Sequence, residues 1–124
     1  MSRPEFDISV VARYLPEQSA PEQQVYAFAY SVTITNRGDI AAQVVGRHWH
    51  IEDANGTVQK VRGLGVVGHQ PLLQPGEQFE YQSWARIATP KGTMRGGYHC
   101  MTSEAEAFEA PIAPFALSMG QALH

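Results

Sequence analysis

The chain has 124 residues, 44% apolar and 17% charged, which suits one domain able to bury roughly two thirds of its unfolded surface without covalent staples. Its formal charge of −3 offers no basic face to a phosphate backbone or an anionic bilayer, so neither nucleic acid nor a membrane surface is an expected partner. Cys100 is the only cysteine, which excludes an internal disulfide and an all-cysteine metal cage, and no run approaches the ~18 apolar residues of a spanning helix.

The N-terminal stretch MSRPEFDISVVARYL turns acidic at Glu5 and Asp7 before any apolar run of signal-peptide length, which predicts a cytoplasmic location. Within it, Phe6, Ile8 and Val10 alternate with polar neighbours as a first strand. QVYAFAYSVTITN follows, with Tyr26, Phe28, Tyr30, Val32 and Ile34 on one face, and ends in the turn signal Asn36-Arg37-Gly38-Asp39. Asn55-Gly56 then predicts a two-residue type I′ turn, with positive φ at both residues, joining Trp49–Asp53 to Thr57–Val61. Beyond Gln74-Pro75-Gly76, EQFEYQS repeats the alternation at Phe79 and Tyr81. Beyond Thr89-Pro90-Lys91-Gly92, MRGGYHC repeats it at Met94, Tyr98 and Cys100, and AFEAPI at Phe108, Ala110 and Ile112. Pro111 and Pro114 confine that last strand to a sheet edge. Helical spacing is sustained nowhere.

About seven or eight short antiparallel strands in a single all-β domain, with a core from about residue 6 to 117, describe a β-sandwich, with a closed barrel as the structural rival. Trp49, in phase with Val45 and Ile51, occupies the central-strand position where an immunoglobulin-like core seats a tryptophan, and Tyr98 stands two residues before Cys100, the spacing of a tyrosine corner. The succession TITNRG, RHWHIEDANG, VRGLGVVGHQPLLQPGEQFEYQS, TPKGTMRGGYHCM and FEAPIAPFAL resembles the bacterial ApaG family over Phe6 to Leu117. That resemblance implies an immunoglobulin or fibronectin type III-like sandwich and a link to cobalt resistance and magnesium efflux. It also implies an interaction role like that of the related modules in a eukaryotic F-box protein and a polymerase-delta-interacting protein, and it brings no established catalytic activity.

Gly63, Gly65 and Gly68 have the G-x-G-x-x-G spacing of a dinucleotide-binding turn. The context is wrong, because His69-Gln70-Pro71-Leu72-Leu73-Gln74-Pro75-Gly76 leaves no room for the helix whose N-terminal amides would face a pyrophosphate. The glycines are instead expected to give a surface connection its freedom, with Val66 and Val67 packed beneath. Arg62, His69 and Gln70 beside them make this loop the candidate contact surface for a protein, and a small-anion nest is the alternative.

His48, His50 and Glu52 lie two residues apart on one strand face, ~6 to 7 Å from one to the next, and are weak candidates for a divalent ion without an evident fourth ligand. Arg47 shares the core-side phase of Trp49, so either a bulge at Gly46 resets the register or the guanidinium is buried against a carboxylate such as Glu80 or Asp53. Cys100 reads as an inert core thiol, and Ser83 and Ser103 lack the setting of an activated serine. Trp84, out of phase with Phe79 and Tyr81, is expected to face outward as a contact anchor. The sequence thus reads as a non-enzymatic binding module with an unidentified protein partner, a second copy of the chain among the candidates, and no expected cofactor. The alternative is a protein that binds a small anion or a divalent cation at the glycine loop or the histidine strand.

Overall fold

Period-two alternation lays down eight antiparallel strands in the computed structural model, which describes residues 2–120. They are β1 (Phe6–Tyr14), β2 (Tyr26–Asn36), β3 (Ala42–Asp53), β4 (Val58–Leu64), β5 (Leu72–Leu73), β6 (Gln78–Ile87), β7 (Lys91–Thr102) and β8 (Ala107–Ser118). One sheet has the order β1-β2-β6, and the other has β4-β3-β7-β8 with the short β5 also paired to β3. The two sheets form the expected sandwich, and β8, with its two prolines, is an edge strand. The connection from β1 to β2 carries two single 3₁₀ turns, Pro16–Gln18 and Pro21–Gln23, each opened by a proline that fixes φ but too short to leave a helical period in the sequence.

The core lies where the inner faces meet. Phe28, Val32, Ile34, Val44, Met94, Tyr98 and Leu117 are fully buried, and Trp49 is 3% exposed. Trp49 on β3 receives the ring of Tyr30 from the opposite sheet at 5.3 Å, edge-on, and that of Phe115 at 6.0 Å, so one indole links three strands. The sheets close along one side through Phe6 against Phe108, and along the other by the Gln59 amide donating to the Arg86 carbonyl. Asn36, 1% exposed, is a buried amide with its capacity used: Nδ2 donates to the Ile40 and Leu73 carbonyls, while Oδ1 accepts from the Gly38 amide. One side chain therefore ties the end of β2 to β5.

Three local expectations are corrected. The register along β3 jumps between Val44 and Gly46, so Val44, not Val45, shares the core with Trp49. Ala42 and Val44 obey one alternation and Trp49 and Ile51 the other, and an extra residue at Val45 lets both sets face inward. The β3–β4 hairpin has a three-residue loop, Ala54-Asn55-Gly56, with positive φ at Gly56 alone. There the Asp53 carboxylate accepts from the amides of Asn55 and Thr57 and sets the longer loop, overriding the Asn-Gly signal. Tyr98 does not make a tyrosine corner, because its hydroxyl crosses the sandwich and bonds the hydroxyl of Tyr81 on β6.

Replacing Trp49 with alanine removes the contact of three strands, and a loss of ~3 to 5 kcal/mol out of a typical ~5 to 15 is expected in urea unfolding. The buried phenols make a second expectation. Burial is the main cause that pushes Tyr81 up to about 12 and Tyr98 further above its ordinary value. Above pH 10 the unfolded chain releases protons that the native chain retains, so stability present below pH 10 falls as pH rises to about 12. A urea midpoint that stays constant from pH 9 to pH 12 would contradict this.

Candidate functional site

The glycine stretch is a double-backed turn. Gly63 and Leu64 finish β4, opposite Arg47 and Gly46. The chain then folds into a tight hairpin in which Val66 and His69 exchange both backbone hydrogen bonds, 2.7 and 3.0 Å, around Val67 (φ 48) and Gly68 (φ 81). Two successive positive φ angles make this the type I′ turn that Asn-Gly favours, built here on Val-Gly. Val66 is fully buried beneath it, whereas Val67 is 54% exposed, contrary to the expectation that both valines pack inward.

Two features of β3 hold the turn. The bulge leaves the Val45 carbonyl free of the ladder, and it accepts from the Gly65 amide at 2.7 Å and from the Gln70 side chain at 2.9 Å. The Gln70 carbonyl in turn accepts from the Gln43 side chain. Arg47, half-buried, donates through Nη1 to the carbonyls of Leu64 and Gly65, both at 3.0 Å. Both alternatives for Arg47 thus need amending: the bulge exists, yet the guanidinium still points inward, and backbone carbonyls are its partners where a carboxylate was expected. Its charge also reaches the hydroxyls of Tyr30 and Tyr81, where it opposes part of the rise that burial causes.

Each glycine has its own reason. Gly63 lies under the Arg47 guanidinium, which a methyl would meet at 2.8 Å. Gly65 has φ +64, and a Cβ there would collide with the His69 carbonyl oxygen. Gly68 has φ +81 with open space around it. The amides of Gly65, Val66 and His69 are donated within the turn and to β3, so they are not collected around a cavity for an anion. Arg62, paired with His48, extends on the outer face of the sheet, while the His69 ring sits 5.7 Å from Phe79 of the opposite sheet. The two side chains do not converge.

The outer face of the larger sheet carries the histidines. His50 Nε2 lies 3.5 Å from Glu52, but His48, His50 and Glu52 do not gather around one point, because alternate residues of a strand point in parallel. His48 meets His99 of β7 instead, with ring centroids 5.1 Å apart, and His99 Nδ1 lies 2.6 Å from Glu109 Oε1 of β8. Trp84 faces outward as expected, 58% exposed beside Ala29 on the other sheet, away from the turn. Cys100 is 3% exposed, and burial first, then the charge of Glu109, pushes its thiol up to about 12, which leaves no thiolate near neutral pH. A depression of about 600 Å³ lies at the sheet end, lined by Glu52, Asp53, Lys91 and Arg95 among others, and includes neither the turn nor His99. Among the described residues no helix is long and apolar enough to cross a membrane.

A family model described as the ApaG domain matches residues 16–102. The chain is 60% identical to a Ralstonia nicotianae protein named Protein ApaG over the full length of both. It is 59% identical over 117 residues to Protein ApaG of Bordetella pertussis, covering 94% of this chain and 89% of that one. A Bordetella pertussis crystal structure described as an ApaA protein has a TM-score of 0.92 at 58% identity, covering 94% of both chains. A second X-ray structure has a TM-score of 0.87 at 40% identity, covering 92% of this chain and 86% of the other.

The glycine geometry orders three substitutions. Gly68→Ala should cost only the ~1 to 2 kcal/mol of a left-handed alanine, and Gly63→Ala should displace the Arg47 side chain. Gly65→Ala adds a backbone collision to its positive φ and should lower the urea midpoint most. Equal midpoints for Gly65→Ala and Gly68→Ala would refute this ranking.

Proposed function

The chain belongs to the ApaG family, and from that premise we propose that it is a non-enzymatic binding module that docks a protein partner on the Val66–His69 turn. The Ralstonia nicotianae and Bordetella pertussis relatives are both named Protein ApaG, a name that carries no activity, and the one cysteine, Cys100, is buried with its thiol pushed up to about 12. One observation carries the reading. Val67 is a β-branched residue held at φ 48 with more than half its surface in solvent, where asparagine would satisfy the backbone better. Strain at an exposed tip is retained where the side chain is used. Leu64 and Leu72 on the flanks are 79% and 55% exposed, which adds apolar surface for a partner to cover.

The test separates stability from binding. Val67→Asn creates the preferred Asn-Gly pair and should raise stability by ~0.5 to 1 kcal/mol while weakening capture of the partner. A photo-cross-linking side chain at position 67 should trap one defined protein in cells, and the same group at Val11, 70% exposed on β1, should not. Identical cross-linking at the two positions, or partner capture unchanged in Val67→Asn, would overturn the assignment.

A further inference from the structure

We propose that His48, His99 and Glu109 form a site for a first-row divalent transition metal on the outer face of the larger sheet, separate from the glycine turn. Each offers one ligand atom within 4.8 Å of the other two, and among the described residues they are the one group of three histidine, cysteine or carboxylate side chains that does so. Three adjacent strands supply them, β3, β7 and β8, and the register explains the convergence. His99 is the ladder partner of both Gly46 and Glu109, and His48 is the partner of Gly97. Directly opposite residues such as His99 and Glu109 stand ~4.5 to 5.5 Å apart at Cβ, and the diagonal pair His48 and His99, ~7 to 8 Å apart in the backbone ladder, is brought together by the reach of the two rings.

Two further observations point the same way. His48 Nδ1 is buried without a hydrogen-bond partner, as is His50 Nε2 on the same face, and a buried polar atom left unpaired costs free energy. The positions flanking the rings carry no side chain: a Cβ on Gly97 would lie 3.0 Å from His48 Cε1, and one on Gly46 would lie 3.7 Å from His99 Cδ2. Ligand atoms around a tetrahedral zinc are ~3.3 Å apart, so the set has to contract, and rotation of the exposed His99 and Glu109 side chains provides for that. Two imidazoles and one carboxylate with solvent on the open side suit Zn²⁺ and its neighbours over Mg²⁺, which prefers an all-oxygen shell. Lys60 and Arg62 on β4 and Arg95 on β7, ladder partners of His50 and His48, work against a cation, which sets the expected affinity near micromolar.

Calorimetric titration of the full chain with Zn²⁺ in a non-chelating buffer should give one equivalent with a Kd on the order of 1 to 10 μM, and Mg²⁺ should give no saturable heat. His99→Ala and Glu109→Gln change exposed side chains, so both variants should keep the parent urea midpoint while each weakens Zn²⁺ at least about tenfold. His50→Ala and His69→Ala should leave the affinity within about twofold. Absence of a saturable one-to-one event overturns the proposal, as does binding that survives in His99→Ala and Glu109→Gln or that disappears in His50→Ala.

Discussion

The grip of β3 on the glycine turn is the interaction on which the surface architecture depends. An extra residue at Val45 does two things at once. It brings Ala42 and Val44 into phase with a core already occupied by Trp49 and Ile51, and it turns the Val45 carbonyl toward Gly65 and Gln70. Arg47, one ladder step beyond Gly46, then binds the carbonyls of Leu64 and Gly65 from within. The desolvation of this half-buried guanidinium is offset by charge-assisted hydrogen bonds to the two carbonyls. The turn is thereby held at both its donor and its acceptor groups, which is what keeps Val67 in a conformation it would not adopt in a free loop.

The alternation of apolar residues was enough to place the strands and their inner faces, because burial along one strand is decided by its own side chains. Tyr26 to Ile34 and Phe79 to Tyr81 lie as their spacing requires. What the alternation does not carry is anything settled between strands. In AQVVGRHWHI two apolar phases compete, and the chain resolves them with a bulge that only the partner strand β7 reveals. The same limit governs the turns. Asn55-Gly56 has the stronger type I′ signal, yet Asp53 captures two amides and lengthens that loop, while Val67-Gly68 adopts the I′ geometry because Val66 is anchored in the core and His69 answers it.

Candidate sites follow the same logic. A search along the sequence finds His48, His50 and Glu52, since they are two apart, but a strand aims such residues along parallel lines. His99 and Glu109 lie far from His48 in sequence and become its neighbours only through the ladder register. The signal that was available was Gly96-Gly97 opposite His48-Trp49, because paired glycines in a strand mark a place where another group comes close. Gly96 admits the His48 carbonyl and Gly97 lies under the His48 ring.

Strand β3 thus serves two surfaces through its two faces. Its inward residues Arg47 and Trp49 fix the turn and the core, and its outward residue His48 joins the cluster on β7 and β8. Because the bulge precedes all three, a change that flattened it into regular pairing while keeping Val45 in the strand would shift the upstream half of β3 by one phase, driving Gln43 inward and Val44 out. The turn would lose its Val45 carbonyl and the Gln43–Gln70 bond together, while the His48–His99–Glu109 register downstream would be left in place. The two surfaces are therefore mechanically separable at Gly46, and a ligand on the histidine face has no obligatory route to the turn except through the side-chain order of Arg47 and His48 themselves.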